Sequence, residues 1–322
     1  METNNQTLTE RPLLTVVSSP HIRTADSTQH IMLDVVIALI PALVMSFVYF
    51  GWRALLLCAV SVIFAVGTEF VSEKAMKRPI TISDFSAVVT GILLAFNVPS
   101  TMPLWKVAFG AIFAILVVKQ FFGGIGQNFM NPALAARALL MSSWGRDMTT
   151  LAEPFRADAL AGATPLSGGQ APTLFNMFIG NMPGMLGEVS ALALLIGAVY
   201  LLMRGVIRIT IPACMIGSFV VFMGIFGMIT GKVGIADLPT QVLSGGLMLG
   251  ALFMATDYAT TPATTAGQII FGVGAGFLTA LIRSFGGYPE GVSYSILLMN
   301  VCSPIIDKYI KRKPFGLGGA SK

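Results

Sequence analysis

Long apolar runs separated by short polar stretches are the main feature of this sequence. They predict ten membrane segments, of which the third, fifth and eighth are shorter than the roughly 20 residues that a full crossing needs. Gly and Pro residues mark the ends of these three, so we expect broken or re-entrant helices there. The predicted segments are Asp34–Phe50, Ala54–Val71, Phe85–Val98, Leu104–Phe122, Pro132–Trp144, Val189–Met203, Ile209–Ile229, Gln241–Ala255, Gln268–Ile282 and Val292–Ile310.

The composition supports an all-α polytopic membrane protein. Of the 322 residues, 55% are hydrophobic and 11% are charged, whereas about 25% of the residues in soluble domains are charged. The mean hydropathy is +0.79, and the 34 glycines suit close packing between membrane helices. The net charge of +5 is explained better by basic residues at the cytoplasmic ends of the segments than by nucleic-acid binding.

The basic residues also predict an orientation. With ten segments, most lysines and arginines fall on one side, which we expect to be cytoplasmic and to hold both termini. The long loop after the fifth segment then lies outside. The predicted division is a cytoplasmic N-terminal segment (1–33), a first membrane repeat (34–144), an external loop (145–187), a second membrane repeat (188–310) and a basic cytoplasmic tail (311–322).

A weak internal repeat relates the two membrane halves. Each copy has a short apolar segment, a break rich in Thr and Pro, a full span, a Phe-Gly-Gly sequence and another span. The copies begin near Thr90 and Leu249. The first starts inside and the second outside, so we expect the inverted repeat of transporter-like cores, in which broken helices form sites near the midplane.

Five charged residues lie inside or beside these apolar segments: Glu69, Asp84, Lys119, Arg137 and Asp257. A charge in hydrocarbon costs roughly 2.5–3.5 kcal/mol or more, so such residues usually face a cavity or a partner. We expect Lys119, near a segment end, to reach the aqueous interface. Asp257 lies in a break between two spans, where a pore-lining and an interfacial position are both open. The candidate ion-path residues are Asp257, Asp84 and Glu69.

The stretch 121–132 is rich in glycine and asparagine. Gly123 and Gly124 permit close approach to the backbone, and Asn128 and Asn131 can cap the next helix or bond a planar ring. Asn131 stands directly before Pro132, so we expect it to cap a helix that begins there.

No catalytic triad and no paired metal-ligand spacing occurs in the sequence. His21 and His30 precede the first segment, where contact with a partner or with solvent is expected. Cys58, Cys214 and Cys302 are far apart in apolar segments and are expected to be buried thiols. Any chemistry of this chain therefore requires a cofactor.

The external loop contains an accessible hydroxyl at Thr164, directly before Pro165. A residue before proline is held extended, and Gly162 and Ala163 leave the hydroxyl uncluttered. A loop of this length is usually functional or disordered. Thr164 is therefore suited to an enzyme that would esterify it.

The sequence around Thr164 resembles a flavinylation motif, Asp-x-x-Ser/Thr-Gly-Ala-Thr/Ser, whose last hydroxyl takes FMN through a phosphoester bond. Ala161 stands where the motif usually has Ser or Thr. Three further stretches, 19–23, 123–133 and 257–262, are similar to the family of the Rnf complex D subunit (the ion-translocating ferredoxin:NAD oxidoreductase). The B subunit of the sodium-translocating NADH:quinone oxidoreductase is a relative. The resemblance covers most of the chain, and the short start favours the Rnf branch.

This resemblance implies a cofactor, a function and a set of partners. FMN on Thr164, within the motif formed with Asp158, Gly162 and Ala163, would relay electrons and couple their transfer to translocation of Na⁺ or H⁺. Some relatives also hold a non-covalent riboflavin, and the 123–131 region would line a flavin. Implied partners are the other Rnf subunits, including a second covalent-FMN subunit and iron–sulfur and NADH/ferredoxin subunits. A flavin transferase, needed for maturation, and membrane lipid are also implied as partners. The implied location is the cytoplasmic (inner) membrane of a prokaryote.

Two other classes of function stay open at this point. A secondary transporter or channel without a redox cofactor would suit the inverted repeat, the short segments and Asp257, but it gives no reason for the 158–164 stretch. A structural scaffold that docks neighbouring subunits predicts that Thr164→Ala leaves electron transfer intact. A fluorescent purified chain would favour the redox hypothesis, and solute uptake without flavin would favour the transporter.

Overall fold

Helices make up most of the chain in the computed structural model, which describes residues 27–161, 166, 172–231, 234–286 and 290–310. Of residues 156–161 and 235 it describes the backbone. The first half contains α1 (Thr28–Phe50), α2 (Trp52–Ala75), a 3₁₀ turn (Ile82–Asp84), α3 (Ser86–Phe96), α4 (Leu104–Phe113), which continues as a π-helix over Ala114–Gln120, and α5 (Pro132–Ser143).

The second half has a similar succession of helices. A connection with α6 (Gly145–Thr149), β1 (Leu151–Glu153), β2 (Arg156–Ala161) and α7 (Leu174–Ile179) joins the halves. Then come α8 (Ala191–Met203), α9 (Thr210–Thr230), a 3₁₀ turn (Ile235–Asp237), α10 (Leu238–Leu243), α11 (Leu247–Leu249), which continues as a π-helix over Gly250–Met254, α12 (Thr265–Phe285) and α13 (Val292–Tyr309).

Each predicted segment coincides with at least one helix. The eighth segment is broken, as expected, at residues 244–246, where Gly245 has φ +67°. One detail differs from the predictions: the fold is not purely helical, since β1 and β2 pair antiparallel in a two-stranded hairpin. This hairpin lies in the predicted external loop, where no long apolar run favours a helix.

Four of the described helices are long and apolar enough to cross a membrane: α1, α2, α9 and α12. Helices α3 and α8 are apolar but shorter. The chain is therefore a multi-pass membrane protein, and the number of ten crossings stays a prediction. Helix α3 and the continuation of α11 each end where another group pairs a terminal carbonyl: the Gly187 N–H donates to the Phe96 carbonyl at 3.0 Å, and the Asn131 amide donates to the Met254 carbonyl at 3.3 Å.

The two ends of the molecule are defined by α1. At its start, Thr28 lines a cavity together with residues at the start of α3 and the end of α4. At its other end, the Tyr49 carbonyl accepts a hydrogen bond from the Phe155 N–H of the hairpin at 2.8 Å, and the two rings pack edge to face. The cavity and the hairpin are therefore at opposite ends.

Helices α3 and α11 run in opposite directions between these ends. Helix α3 starts at the cavity with Ser86 and ends at Asn97, which binds Arg137 on α5. Helix α11 starts beside Gly246, next to Glu188, and its π-helical continuation leads to Asp257 at the cavity. This geometry supports the inverted repeat that the sequence predicts.

Small residues bring the helices close together in both halves. A β-carbon on Gly91 would lie 2.8 Å from the Cα atom of Val62, and the Ser61 hydroxyl donates to the Gly91 carbonyl at 2.7 Å. On α12, a side chain at Gly276 would overlap the Met215 carbonyl of α9. Such contacts let membrane helices pack at short range, and they fix the frame on which the polar groups are mounted.

Candidate functional site

A cavity of about 230 Å³ lies at the end of the molecule where α1 begins. Its walls come from α1, α3, α5, the 125–133 loop and the break after α11, and most of the lining side chains are apolar. A mainly apolar pocket with a few convergent polar groups is the usual form of a small-molecule site. The polar side chains that line it are Thr28, Ser86, Thr90, Lys119, Asn128, Asn131, Thr256, Asp257 and Tyr258.

Asn131 fixes one wall of this cavity. Its side-chain oxygen accepts from the backbone N–H groups of Ala133 and Leu134 at 3.0 and 3.3 Å, so the predicted cap of α5 is confirmed. Its amide nitrogen donates to the Met254 carbonyl at the end of the α11 continuation, at 3.3 Å. One side chain therefore joins the start of α5 to the break in the second half.

The glycine turn before Asn131 contributes differently from what the sequence predicts. Gly123 and Gly124 have φ of +125° and +99°, which favours glycine, and the Gly124 N–H donates to the Lys119 carbonyl at 3.1 Å. Neither lines the cavity, whereas Gly126 and Asn128 do. The two glycines therefore shape the turn that presents Asn128.

Asp257 also lines this cavity. Its carboxylate accepts from the Ala259 N–H at 3.4 Å and from the Thr260 hydroxyl at 3.3 Å. The predicted position in a break between two spans is confirmed, because the π-helix ends at Met254 and α12 begins at Thr265. The carboxylate is held by local bonds and is partly exposed.

Lys119 does not reach the aqueous interface, so that prediction was wrong. Its side chain is buried and donates to Glu69 and to the Ser86 hydroxyl, both at 2.5 Å. Gln120 donates to the same Glu69 oxygen at 3.1 Å, and Glu73 is also buried nearby. We call these five residues (Glu69, Glu73, Ser86, Lys119 and Gln120) the Glu69 cluster. It adjoins the cavity, because Ser86 and Lys119 belong to both.

Asp84 completes this end of the molecule. One of its carboxylate oxygens accepts from the Ser86 N–H at 2.8 Å and from the Ser86 hydroxyl at 2.6 Å. The three predicted ion-path residues therefore lie around one region: Glu69 and Asp84 are linked through Lys119 and Ser86, and Asp257 lines the same cavity as Lys119 and Ser86. The second oxygens of Glu69 and Asp84 are buried without a hydrogen-bond partner in the described part of the chain.

A second cluster surrounds Arg137 on α5, toward the hairpin end. The Arg137 guanidinium donates to Asn97 at 2.8 Å, to Glu188 at 3.0 Å, to the Ser293 hydroxyl at 2.8 Å and to Glu290. Arg283 at the end of α12 donates to the Gln241 and Ser244 carbonyls at 2.5 and 3.1 Å. We call Arg137, Glu188, Ser244, Arg283 and Glu290 the Arg137 cluster.

Sequence reasoning singled out Arg137 but missed its partners. Glu188 and Glu290 stand just before the sixth and tenth apolar segments, and Arg283 stands just after the ninth. In the predicted topology all three lie on the external side, where basic residues are otherwise scarce. An arginine there with two nearby acids was the signal for an ion-paired cluster.

Part of the predicted flavin site lies outside the described residues. This holds for Gly162, Ala163 and Thr164, for the side chain of Asp158 in β2, and for His21 with its 19–23 stretch. The described neighbours on either side are the backbone of Ala161, which ends β2, and Leu166. Leu166 lines a second, small cavity together with Glu188, Ser244 and Glu290.

The remaining candidate residues have structural surroundings. The backbone N–H of His30 donates to the Ser27 hydroxyl, which caps α1. Cys58 is buried, as expected, whereas Cys214 and Cys302 are only partly buried, and all three are free thiols. None of these four residues lines the large cavity.

Comparison with known proteins gives a consistent assignment over nearly the whole chain. This chain is 49% identical to the D subunit of the Na(+)-translocating ferredoxin:NAD(+) oxidoreductase complex of Acetobacterium woodii, over 94% of this chain and 96% of that protein. It is 43% identical to the D subunit of the proton-translocating ferredoxin:NAD(+) oxidoreductase complex of Clostridium ljungdahlii, over 95% and 97%. It is 33% identical to the D subunit of the ion-translocating oxidoreductase complex of Actinobacillus succinogenes, over 94% and 98%. The model of the NQR2, RnfD, RnfE family matches residues 15–316, and the chain therefore belongs to this family.

Proposed function

We propose that this chain is the D subunit, in the membrane, of an ion-translocating ferredoxin:NAD⁺ oxidoreductase complex. The observation that carries this proposal is the 49% identity to a protein of that name, over 94% of this chain and 96% of the relative. As one part of a complex, it would not catalyse the reaction alone. It would lie in the cytoplasmic membrane of a prokaryote with both termini in the cytoplasm.

The proposed redox group is FMN joined to Thr164 by a phosphoester bond. The sequence of residues 158–164 fits the motif except at Ala161. Two described features support the placement: β2 ends at Ala161, directly before the motif's glycine, and Leu166 packs at the hairpin end. When bound, FMN supplies electron transfer, and the protein sets its position and its surroundings.

We assign a different role to the large cavity, because it lies at the opposite end from the hairpin. Its mostly apolar walls suit a planar ring, and its amides and carboxylate are groups that can bond to the polar edges of such a ring. Asn128, Asn131 and Asp257 would hold a non-covalent riboflavin there. The turn at Gly123 and Gly124 would support this site indirectly, by presenting Asn128.

The Thr164 attachment is tested by denaturing gel electrophoresis under ultraviolet light, with intact mass measured on the same sample. The chain is co-expressed with a flavin transferase, and Thr164→Ala and Thr164→Ser are run beside it. We expect a fluorescent band with the added mass of one FMN in the parent and in Thr164→Ser, and a dark band in Thr164→Ala. A dark parent band, with a transferase active on a known acceptor, would contradict the covalent flavin and make solute transport the next hypothesis to test.

The second flavin is tested on the same preparations by extracting non-covalent flavin with acid. Asp257→Leu removes a polar group from the cavity wall and should abolish extractable riboflavin while leaving the covalent band unchanged. Thr164→Ala should give the reverse pattern, so each variant is the control for the other. Loss of both flavins in both variants would instead indicate a general folding defect, and would not support two separate sites.

A further inference from the structure

The small cavity beside the Arg137 cluster has room for one water-sized occupant. Its volume is about 10 Å³, close to the minimum that holds a water molecule. It lies at the hairpin end, and its lining residues include Leu166, Glu188, Ser244, Gly245 and Glu290. The cavity is thus separate from the large one at the other end of the molecule.

Two buried oxygen atoms at this cavity have no hydrogen-bond partner among the described residues. They are Oε2 of Glu188 and Oγ of Ser244, and these residues are only 3% and 1% exposed. Buried polar atoms are nearly always paired, since an unpaired one costs free energy. Both residues line the cavity. An occupant that accepts oxygen ligands would therefore give a partner to the carboxylate oxygen and to the hydroxyl oxygen.

The charges around the cavity balance. Counted at their formal charges, the carboxylates of Glu188 and Glu290 offset the guanidinium groups of Arg137 and Arg283. Arg137 also donates to Asn97 and Ser293, both at 2.8 Å. Arg137 therefore keeps these two neutral hydrogen-bond partners when one of the glutamates binds an added cation. A neutral cluster holds an added monovalent cation only weakly, which suits a site that an ion must enter and leave.

The break between α10 and α11 leaves space for this site. Gly245 has φ +67°, and a β-carbon on it would lie 2.9 Å from Leu166 and 3.1 Å from the Arg283 guanidinium. A β-carbon on Gly246 would overlap the Glu188 carboxylate. The backbone here approaches the charges closely because it lacks side chains, and it presents Ser244 to the cavity.

From this geometry we infer that Glu188, Ser244 and Glu290 form a transient site for one monovalent cation the size of water, either Na⁺ or hydronium. Carboxylate and hydroxyl oxygens are the ligands that such hard cations prefer. The inference rests on the proposed ion-translocating function and assigns its ion a place near the external end of the membrane domain. The site is distinct from the predicted ion-path residues Glu69, Asp84 and Asp257, which lie at the cavity end.

The test uses the whole complex in sealed vesicles and measures ferredoxin:NAD⁺ electron transfer, ²²Na⁺ uptake and vesicle acidification. Ser244→Ala removes one ligand without changing charge, and Glu188→Gln removes one charge without changing size. Ser295→Ala is the matched control, because among the described residues that buried hydroxyl bonds to the Gly291 carbonyl, which caps its own helix, and it does not line the small cavity. Covalent flavin content per complex corrects every rate for assembly.

If Na⁺ is the ion, Ser244→Ala should raise the Na⁺ concentration for half-maximal electron transfer about tenfold, the effect of losing one bond to a charged group. Glu188→Gln should raise it further, and Ser295→Ala should match the parent. If hydronium is the ion, the parent needs no Na⁺, and both site variants should lower acidification per electron transferred.

Either pattern supports the site and identifies its ion. Ser244→Ala and Glu188→Gln complexes with parental Na⁺ dependence and parental ion-to-electron ratios would overturn the inference while leaving the proposed function intact. A parent complex that transfers electrons but moves neither ion would overturn the proposed function itself.

Discussion

The Glu69 cluster and the Arg137 cluster lie at opposite ends of the membrane domain. Both contain buried charges, which are compensated in different ways. In the Glu69 cluster one lysine serves a carboxylate and a hydroxyl, and the group adjoins a cavity of about 230 Å³. In the Arg137 cluster two arginines face two glutamates beside a cavity of about 10 Å³. Charge that is close to a large cavity can be hydrated, whereas charge in a tightly packed region must be paired by protein groups.

This difference indicates that the two clusters tolerate change unequally. Arg137 has four side-chain partners, drawn from the end of α3, the chain before α8, the chain before α13 and α13 itself. Lys119 has two partners, from α2 and the start of α3. The loss of Arg137 therefore affects more elements than the loss of Lys119, and the first two predictions measure this difference.

Arg137→Gln is expected to have the largest effect. It leaves the buried Glu188 and the partly buried Glu290 with one fewer cation between them, and breaking a buried pair costs about 3–5 kcal/mol. The measurement is the free energy of unfolding of the purified chain in detergent. Arg137→Lys keeps the charge but not the planar guanidinium with its several donors, so the free energy of unfolding should fall by an intermediate amount. Unfolding of Arg137→Gln at the parental midpoint would contradict the central position assigned to this arginine.

Lys119→Met is expected to cost less, about 3 kcal/mol, the lower end of the range for breaking a buried ion pair. Glu69 keeps the Gln120 amide as a donor at 3.1 Å, and the adjoining cavity gives access to water. Adding Glu69→Gln to Lys119→Met removes the unpaired charge and should recover most of the lost stability. A double variant as unstable as the single one would show that packing of the lysine stem, and not its charge, supports this end.

The helices themselves were largely predictable, because apolar runs bounded by polar residues mark them directly. The segment predicted at Ile209–Ile229 is α9, Thr210–Thr230, and the cap at Asn131 is local, so the Asn-Pro sequence was sufficient to predict it. A break in the eighth segment was predicted, but its position at Gly245 and the hairpin were not, since they depend on contacts across the connection between the halves.

The ion-pair partners of the buried charges could not be predicted from the local sequence. Lys119 was expected at the interface because it stands near a segment end. Its partner Glu69 precedes it by 50 residues and is not visible in the local sequence. Arg137 binds Glu188 and Glu290, which follow it by 51 and 153 residues. A charge near a segment end has the same local sequence whether it meets water or a distant ion, so only the packed structure decides between these two cases.

A further ion pair, between Lys106 and Asp147 at the hairpin end, adds an example in which one partner is exposed. The Asp147 side chain is 40% exposed, in contrast to Glu69 and Glu188 at 0% and 2%. Exposed pairs contribute about 0–1 kcal/mol, and Lys106 also lies over the rings of Trp105 and Trp144, at 5.3 and 5.5 Å from their centroids. Asp147→Asn should therefore lower the free energy of unfolding by less than about 1 kcal/mol.

Salt distinguishes this pair from the buried ones. At about 1 M salt the screening length falls to roughly 3 Å, so the small effect of Asp147→Asn should vanish. The effect of Arg137→Gln should persist, because ions in solution screen buried charges much less. If Asp147→Asn were instead as destabilising as Arg137→Gln at both salt concentrations, exposure would not determine what these pairs contribute. The contrast between the two buried clusters would then need an explanation other than access to water.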